Sequence, residues 1–528
     1  MPSPARPVRP ARPVRPARPS GPSRVAVALL AASLLLAGCV GPKEQTTPSA
    51  GTGPTDGPTV DPDGGLDAFY GQTVTWSECG EGFECATIAA PLDWDDPSAG
   101  AIDLALERAP ARDAEARLGS LLVNPGGPGA SGIEFLSSAV SYVIGDPVLD
   151  AYDVVGFDPR GVGQSSAVEC GPDEVVDEFL TTDFPLASQA DVEAARERLA
   201  DFAAVCLEET GPLLGEVDTI SAARDMDLIR AVLGDEQLSY LGFSYGTFLG
   251  ATYAGLYPEN VGRLVLDGAL DPSMSNDDLV IGQAEGFENA LRAYVEDCQR
   301  GADCPLEGTV EAGMAQVADL VARAEVDPIP AGDAEVNGTL ASYGIVVTLY
   351  DDGSWPYLTW ALDEALTQGT AVTLHDLANI YLDRTSDGRY TSNSMIAFQA
   401  INCLDYPMVE RDYEDLVTFT KEVETVAPTF GQRFGMAIGC ETWPFPPTGV
   451  RQEIHAPGAA PILVIGTTGD PATPYEWSVR LAEQLESAEL LTYHGEGHTA
   501  YGRGGDCVRD VVETYLLTGE LPDGGASC

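Results

Sequence analysis

The chain is poor in basic residues: Lys and Arg total 28 against 82 Asp and Glu, a net charge of -54 over 528 residues. A field of that sign repels polyanions, which excludes nucleic acid as a partner. Histidine is scarcer still, with four in all and no C-x-x-C pair beside them, so a zinc centre lacks a ligand set and no metal site is expected. The apolar run Val25 to Ala37, broken by Ser33, is too short to span a bilayer. What is present is material for a sizeable core. At 44% hydrophobic, the chain suits one large α/β domain with an insertion, or two or three smaller domains.

Charge isolates the N-terminus. Arg6, Arg9, Arg12, Arg15, Arg18 and Arg24 precede any acid, and the short apolar run follows them. That is the positive region and apolar region of an export signal. Leu36-Ala37-Gly38-Cys39 resembles the bacterial lipobox, so residues 1–38 read as a lipoprotein signal peptide and Cys39 as the lipid-bearing residue. Two acyl chains would make attachment to the membrane stable. The expected location is the cell surface, on the outer face of the bacterial membrane, with release from the cell as the variant of that reading. Residues 39–66 are mostly small and polar and read as a flexible tether.

Eleven cysteines minus Cys39 leave ten, an even number in a chain expected to be exported. In sequence they fall as Cys79/Cys85, Cys170/Cys206, Cys298/Cys304, Cys403/Cys440 and Cys507/Cys528. Pairing of neighbours is one of about 945 connectivities that ten cysteines allow.

Chemistry enters at Gly242-Phe-Ser-Tyr-Gly246, a G-x-S-x-G centred on Ser244, with an apolar β-like run before it and a helix-compatible run after it. Strand, sharp turn and helix make Ser244 a candidate nucleophile. Upstream, Asn124-Pro-Gly-Gly-Pro-Gly129 follows a buried strand, and its backbone N–H groups can face a developing oxyanion. Gly127 N–H and Tyr245 N–H are the assigned donors. Downstream, Asp470 and His498 each sit just past an apolar strand, where loops of an open α/β sheet build sites. The chain order Ser244, Asp470, His498 is that of α/β-hydrolases. His498 would be the base, and Asp470 would orient and stabilise its imidazolium.

Position separates the rival residues. His494 reads as the end of a strand, His375 as a helix-surface residue, and His455 lacks the flanking glycines of His498. Asp267, after the strand that follows the nucleophile helix, is the rival acid. Arg160, in Asp158-Pro-Arg-Gly161, reads as half of a structural ion pair.

These pieces, with Ala89-Ala-Pro-Leu-Asp-Trp94, Gly156 to Ser165, Asp470 to Pro474 and Gly495-Glu-Gly-His498, resemble the serine peptidases related to proline iminopeptidase. The nearest resemblance is to the exported tripeptidyl-aminopeptidase-like enzymes of actinobacteria. It implies an α/β-hydrolase fold: a mostly parallel sheet flanked by helices, with a largely helical cap. It also implies release of short pieces, di- or tripeptides, from the free N-terminus of peptide substrates, without metal or cofactor. One departure stands out: this chain has Pro125 where proline iminopeptidases have His. The expected division is core at 67–270, cap at 271–456, and a C-terminal, TAP-like core part at 457–528. An aminopeptidase must neutralise the substrate ammonium, and Asp405, beside a Cys403–Cys440 bridge, is the candidate, with Glu441 second. A carboxylesterase or lipase-like hydrolase with the same triad is the alternative, and a non-enzymatic surface binding module the third reading. A monomer is expected, although nothing in the sequence fixes the oligomeric state.

Overall fold

A computed structural model describes residues 60–528 apart from 81, 184–185, 436–437 and 523. The segment 1–38 expected to be a signal peptide, Cys39, and most of the 39–66 segment expected to be a tether therefore lie outside the described residues. The end of that tether is described: Pro62–Gly64 form a 3-10 turn, and Val60 packs on the main core. Among the described residues no helix is long and apolar enough to cross a membrane.

The chain forms β1 (Ser77–Gly80), β2 (Phe83–Pro91), β3 (Ala101–Ala109), β4 (Gly119–Asn124), β5 (Tyr152–Phe157), β6 (Leu238–Phe243) and β7 (Val261–Asp267). A small hairpin, β8 (Ile329–Ala331) with β9 (Ala334–Val336), precedes β10 (Ile462–Gly469) and β11 (Ala488–Glu496). Nine strands make one sheet in the order β1-β2-β3-β5-β4-β6-β7-β10-β11. The pairs from β5 to β11 are parallel, and those from β1 to β5 antiparallel. Every residue of β4 and β5 is buried, the mark of strands covered on both faces. Alternation sorts their side chains: Leu122, Val155 and Leu264 enter one core, and Leu121, Val154 and Val265 the other. Helices on both faces complete the α/β-hydrolase fold.

Three helices frame the centre: α1 (Gly132–Val143), α2 (Thr219–Leu233) and α3 (Tyr245–Leu256). Between β7 and β10 the chain is almost wholly helical, including α4 (Asn276–Arg300), α5 (Gly338–Leu349) and α6 (Ser394–Asp405). An earlier stretch joins this layer. Helix Gln189–Thr210 packs Val192, Ala195 and Leu199 on Leu416 and Ile438, and Arg196 pairs with Glu441 at 2.5 Å. Those residues stand within the 67–270 stretch, yet much of their apolar face meets the 271–456 segment. Sequence position conceals this, because both stretches are amphipathic helices that need a partner.

Five disulfides join the sequence neighbours Cys79–Cys85, Cys170–Cys206, Cys298–Cys304, Cys403–Cys440 and Cys507–Cys528. In the core, Arg160 makes a fully buried bidentate pair with Asp225, both bonds 2.7 Å, and donates to the carbonyls of Pro91, Leu92 and Glu216. Trp94 Nε1 donates to the same Asp225 at 3.0 Å. The segments around Trp94 and Arg160 thus meet in a bracing cluster.

Candidate active site

β6 ends at Phe243 and α3 begins at Tyr245, leaving Ser244 at the turn with φ 55° and ψ -124°. A serine in left-handed backbone costs about 1–3 kcal/mol and persists only where its surroundings hold it. Here Ser244 N–H donates to the Asp267 carbonyl at 2.9 Å, and the Ser244 carbonyl accepts from Thr247 N–H and Oγ1 at 2.8 and 2.6 Å. Ser244 lines a cavity of about 1210 Å³ shared with Gly127, Tyr350 and His498.

Asp470 follows β10 and is buried. One of its oxygens accepts from Ala472 and Thr473 N–H at 3.0 and 2.8 Å, and the other from Thr499 N–H at 3.1 Å. Both oxygens stand 2.9 Å from His498 Nδ1. Three backbone donors fix the carboxylate, and the carboxylate fixes the ring. Thr473 Oγ1 adds a contact to Nδ1 at 3.3 Å. The opposite nitrogen, His498 Nε2, is buried and has no hydrogen-bond partner among the described residues. An imidazole held at one nitrogen and free at the other is poised to take a proton.

The glycine loop lies against the start of α3. Asn124 Oδ1 accepts from Gly126 N–H at 3.0 Å, and a Cβ on Gly126 would come 3.1 Å from Tyr245 N. Tyr245 N–H opens its helix and so has no acceptor within it. Gly127 lines the cavity. The two assigned donors therefore belong to adjoining backbone.

The structure does not bring Asp405 or Glu441 to this cavity. Asp405 is buried and accepts from Thr219 N–H at 2.9 Å and Thr219 Oγ1 at 2.5 Å, and that hydroxyl meets Tyr245 OH at 2.5 Å. Its bonds brace the packing behind Tyr245. Burial pushes its carboxyl up to about 7. Glu441 is spent on Arg196, as described above. Both corrections have one cause: an acid near a disulfide is rigid, but rigidity does not orient it. Asp267 makes no hydrogen bond to His498 and accepts instead from Ala500 and Tyr501 N–H. His494 is exposed within β11, and His455 Nδ1 lies 3.0 Å from the Gln484 carbonyl. His375, expected on a helix surface, is buried beside Asn379.

Three cavity residues escape sequence reasoning. Tyr350, just past α5, accepts His498 N–H on its carbonyl at 2.8 Å and sets its ring edge-on to the imidazole at 5.5 Å. Glu134 on α1 and Asp383 near α6 line the cavity as well. Asp383 takes the Ser392 and Ser394 hydroxyls on Oδ2 at 2.7 and 2.8 Å, while its buried Oδ1 has no partner among the described residues. Burial, then the Asp383 charge, raises the Glu134 carboxyl. No short motif marks these three, since only tertiary folding brings them together.

The family described as TAP-like protein matches residues 427–528. The chain is 38% identical over 489 residues to "Serine protease Hip1" of Mycobacterium tuberculosis, covering 87% of this chain and 91% of that one. It is 37% identical to "Carboxylesterase B" of the same species, over 95% and 97% of the two chains. "Tripeptidyl aminopeptidase" of Streptomyces coelicolor is 30% identical over 86% of each chain.

Proposed function

Because the chain belongs to the TAP-like family of α/β-hydrolases, we propose that it is an exported serine aminopeptidase that releases short pieces, di- or tripeptides, from peptide substrates. That it is a hydrolase of the serine-protease and tripeptidyl-aminopeptidase type follows from its relatives. The finer reading rests on one observation: His498 is bonded to Asp470 through Nδ1, keeps Nε2 without a partner among the described residues, and lines the same cavity as Ser244. In this reading Ser244 Oγ attacks the scissile carbonyl as His498 takes its proton. The tetrahedral oxyanion draws on Gly127 and Tyr245 N–H. Collapse breaks the C–N bond, His498 gives its proton to the leaving amine, and water then hydrolyses the acyl-enzyme by the same route.

The substrate ammonium belongs with Glu134 and Asp383. Six carboxylates line the cavity against Arg503, which pairs with one of them, Asp351, at 3.5 Å and is also held by Asp352 and the Glu496 carbonyl. A cation between Glu134 and Asp383 relieves their mutual repulsion and offers the unpaired Asp383 Oδ1 a donor. Export through residues 1–38 and a lipid anchor on Cys39 complete the proposal. The second reading, ester hydrolysis by the same groups, has the carboxylesterase relative in its favour.

The deciding experiment is a panel of free and N-acetylated mono-, di- and tripeptidyl amides with matched esters, run on wild type and Ser244→Ala. Preference for free amines, lost in the variant, is the expected result. Equal cleavage of blocked peptides makes the protein an endopeptidase, and ester turnover alone makes it an esterase.

A further inference from the structure

β7, the strand after the nucleophile helix, ends on Asp267, a carboxylate that the hydrolytic steps above leave unused. Each of its oxygens accepts from Ala500 N–H at 3.0 Å, and Oδ2 also accepts from Tyr501 N–H at 2.7 Å. Its own carbonyl accepts from Ser244 N–H at 2.9 Å. One residue therefore ties the nucleophile turn to the loop that follows His498. That loop is strained, with Thr499 at φ 63°, so it needs such holds. Gly268, at φ 69°, lies beneath the same ring: a Cβ there would come 3.2 Å from His498 Cε1 and 3.1 Å from Thr473 Oγ1.

We propose that Asp267 is a positioning residue whose charged carboxylate, gripping the Ala500 and Tyr501 amides, locks the His498 loop against the Ser244 turn and releases it on protonation. The proposal rests on the hydrolytic reading above. A carboxylate accepts these amides through both oxygens, whereas a protonated carboxyl turns one acceptor into a donor facing N–H groups. Burial pushes the Asp267 carboxyl up to about 6, against the pull of the two amides. The charged groups that act on it are His498, which lowers it, and Asp470, which raises it. Its register neighbours on β6 and β10 are apolar, Phe243 and Ile465. As pH falls through about 6, therefore, the loop loosens. Activity then loses the Asp267 lock.

The test is the pH profile of kcat/KM for wild type, Asp267→Asn and Gly268→Ala, after labelling of wild type with a peptidyl phosphonate has established a serine nucleophile. Wild type should lose activity on the acid side with a component centred near pH 6 that Asp267→Asn lacks. Asp267→Asn should lose about tenfold or more at neutral pH through misplacement of the base. Gly268→Ala should lower activity and keep that component. Wild-type activity and an unchanged acid limb in Asp267→Asn overturn the proposal. If that variant does not fold, hydrogen exchange of Ala500 and Tyr501 in wild type decides: protection, corrected for the intrinsic pH effect, falls below about pH 6 or the proposal fails. Absence of phosphonate labelling sinks the hydrolytic reading instead, and the exchange measurement still reports on the lock.

Discussion

The two walls of the cavity are built differently. On the sheet side, Ser244, Asp470 and His498 each stand within a few residues of the ends of β6, β10 and β11, and the parallel ladder sets the spacing between them. On the helical side, Tyr350, Asp383 and Ser394 come from separate turns that helix packing brings together, with the Ser394 hydroxyl bonded to Asp383 and the Tyr350 carbonyl to His498 N–H. Reacting groups on a rigid strand end hold their geometry with little help. Groups on a packed helical layer are free to diversify, so the division predicts that chemistry rests on the strand ends and that substrate choice draws on residues away from them, Glu134 on α1 and Asp383 among them.

Substitutions on the sheet side should test this division hardest. Ser244→Ala should reduce kcat/KM about 10⁴-fold or more on every substrate, and Asp470→Asn by about 10³–10⁴, because the ring loses its orienting charge. Retention of turnover within about tenfold in Ser244→Ala would place the nucleophile elsewhere. Ion pairs extend the contrast from activity to stability. Arg160→Met strands a fully buried Asp225 and should cost about 3–5 kcal/mol in denaturant unfolding, while Arg196→Met, at a partly buried pair of the helical layer, should cost less, about 1–2 kcal/mol. Equal losses would erase the distinction between bracing core and tolerant cap.

A smaller effect is expected where the substrate ammonium binds. Glu134→Gln should raise KM for free-amine peptides about tenfold, roughly 1.4 kcal/mol, and leave N-acetylated substrates unchanged. Equal shifts for both substrate types would remove Glu134 from the ammonium site and recast it as a general wall residue.

Legibility in the sequence follows the same division. The strand ends carrying Ser244, Asp470 and His498 can be read because each needs a local signature: an apolar run, a tight turn, a flanking glycine. The sheet reads equally well, since β4, β5 and β10 each carry an apolar run, at residues 121–123, 154–157 and 462–465. Illegible features depend on long-range packing. The union of helix Gln189–Thr210 with the 271–456 segment is one, the cavity position of Glu134 and Asp383 another. Asp405 illustrates why: proximity to Cys403 in sequence says nothing about direction, and α6 turns its carboxylate towards Thr219 and away from the cavity. Asp267 is an intermediate case. Its place after β7 is plain in the sequence, but only the structure reveals that it grips backbone amides while Asp470 takes the imidazole.

Asp405 gives the finest test, because its displacement from the ammonium role makes a claim about pH. Burial raises its carboxyl to about 7, with the Thr219 bonds and the Arg451 charge opposing and Asp218 adding to the rise. In the unfolded chain the same group gives up its proton near the ordinary value of about 4. Between those two values the folded protein holds a proton that the unfolded chain has lost, which favours folding at low pH and fades as pH rises through about 7. Asparagine cannot ionise. Asp405→Asn should therefore match wild type in Tm at about pH 4–5 and exceed it by about pH 8, where the wild type carries a buried charge. A Tm difference that stays flat across that range removes the buried-carboxyl account. KM for free-amine peptides is the second readout. An unchanged KM keeps Asp405 behind Tyr245 as bracing, whereas a rise confined to free amines returns it to the substrate and takes the ammonium site away from Glu134.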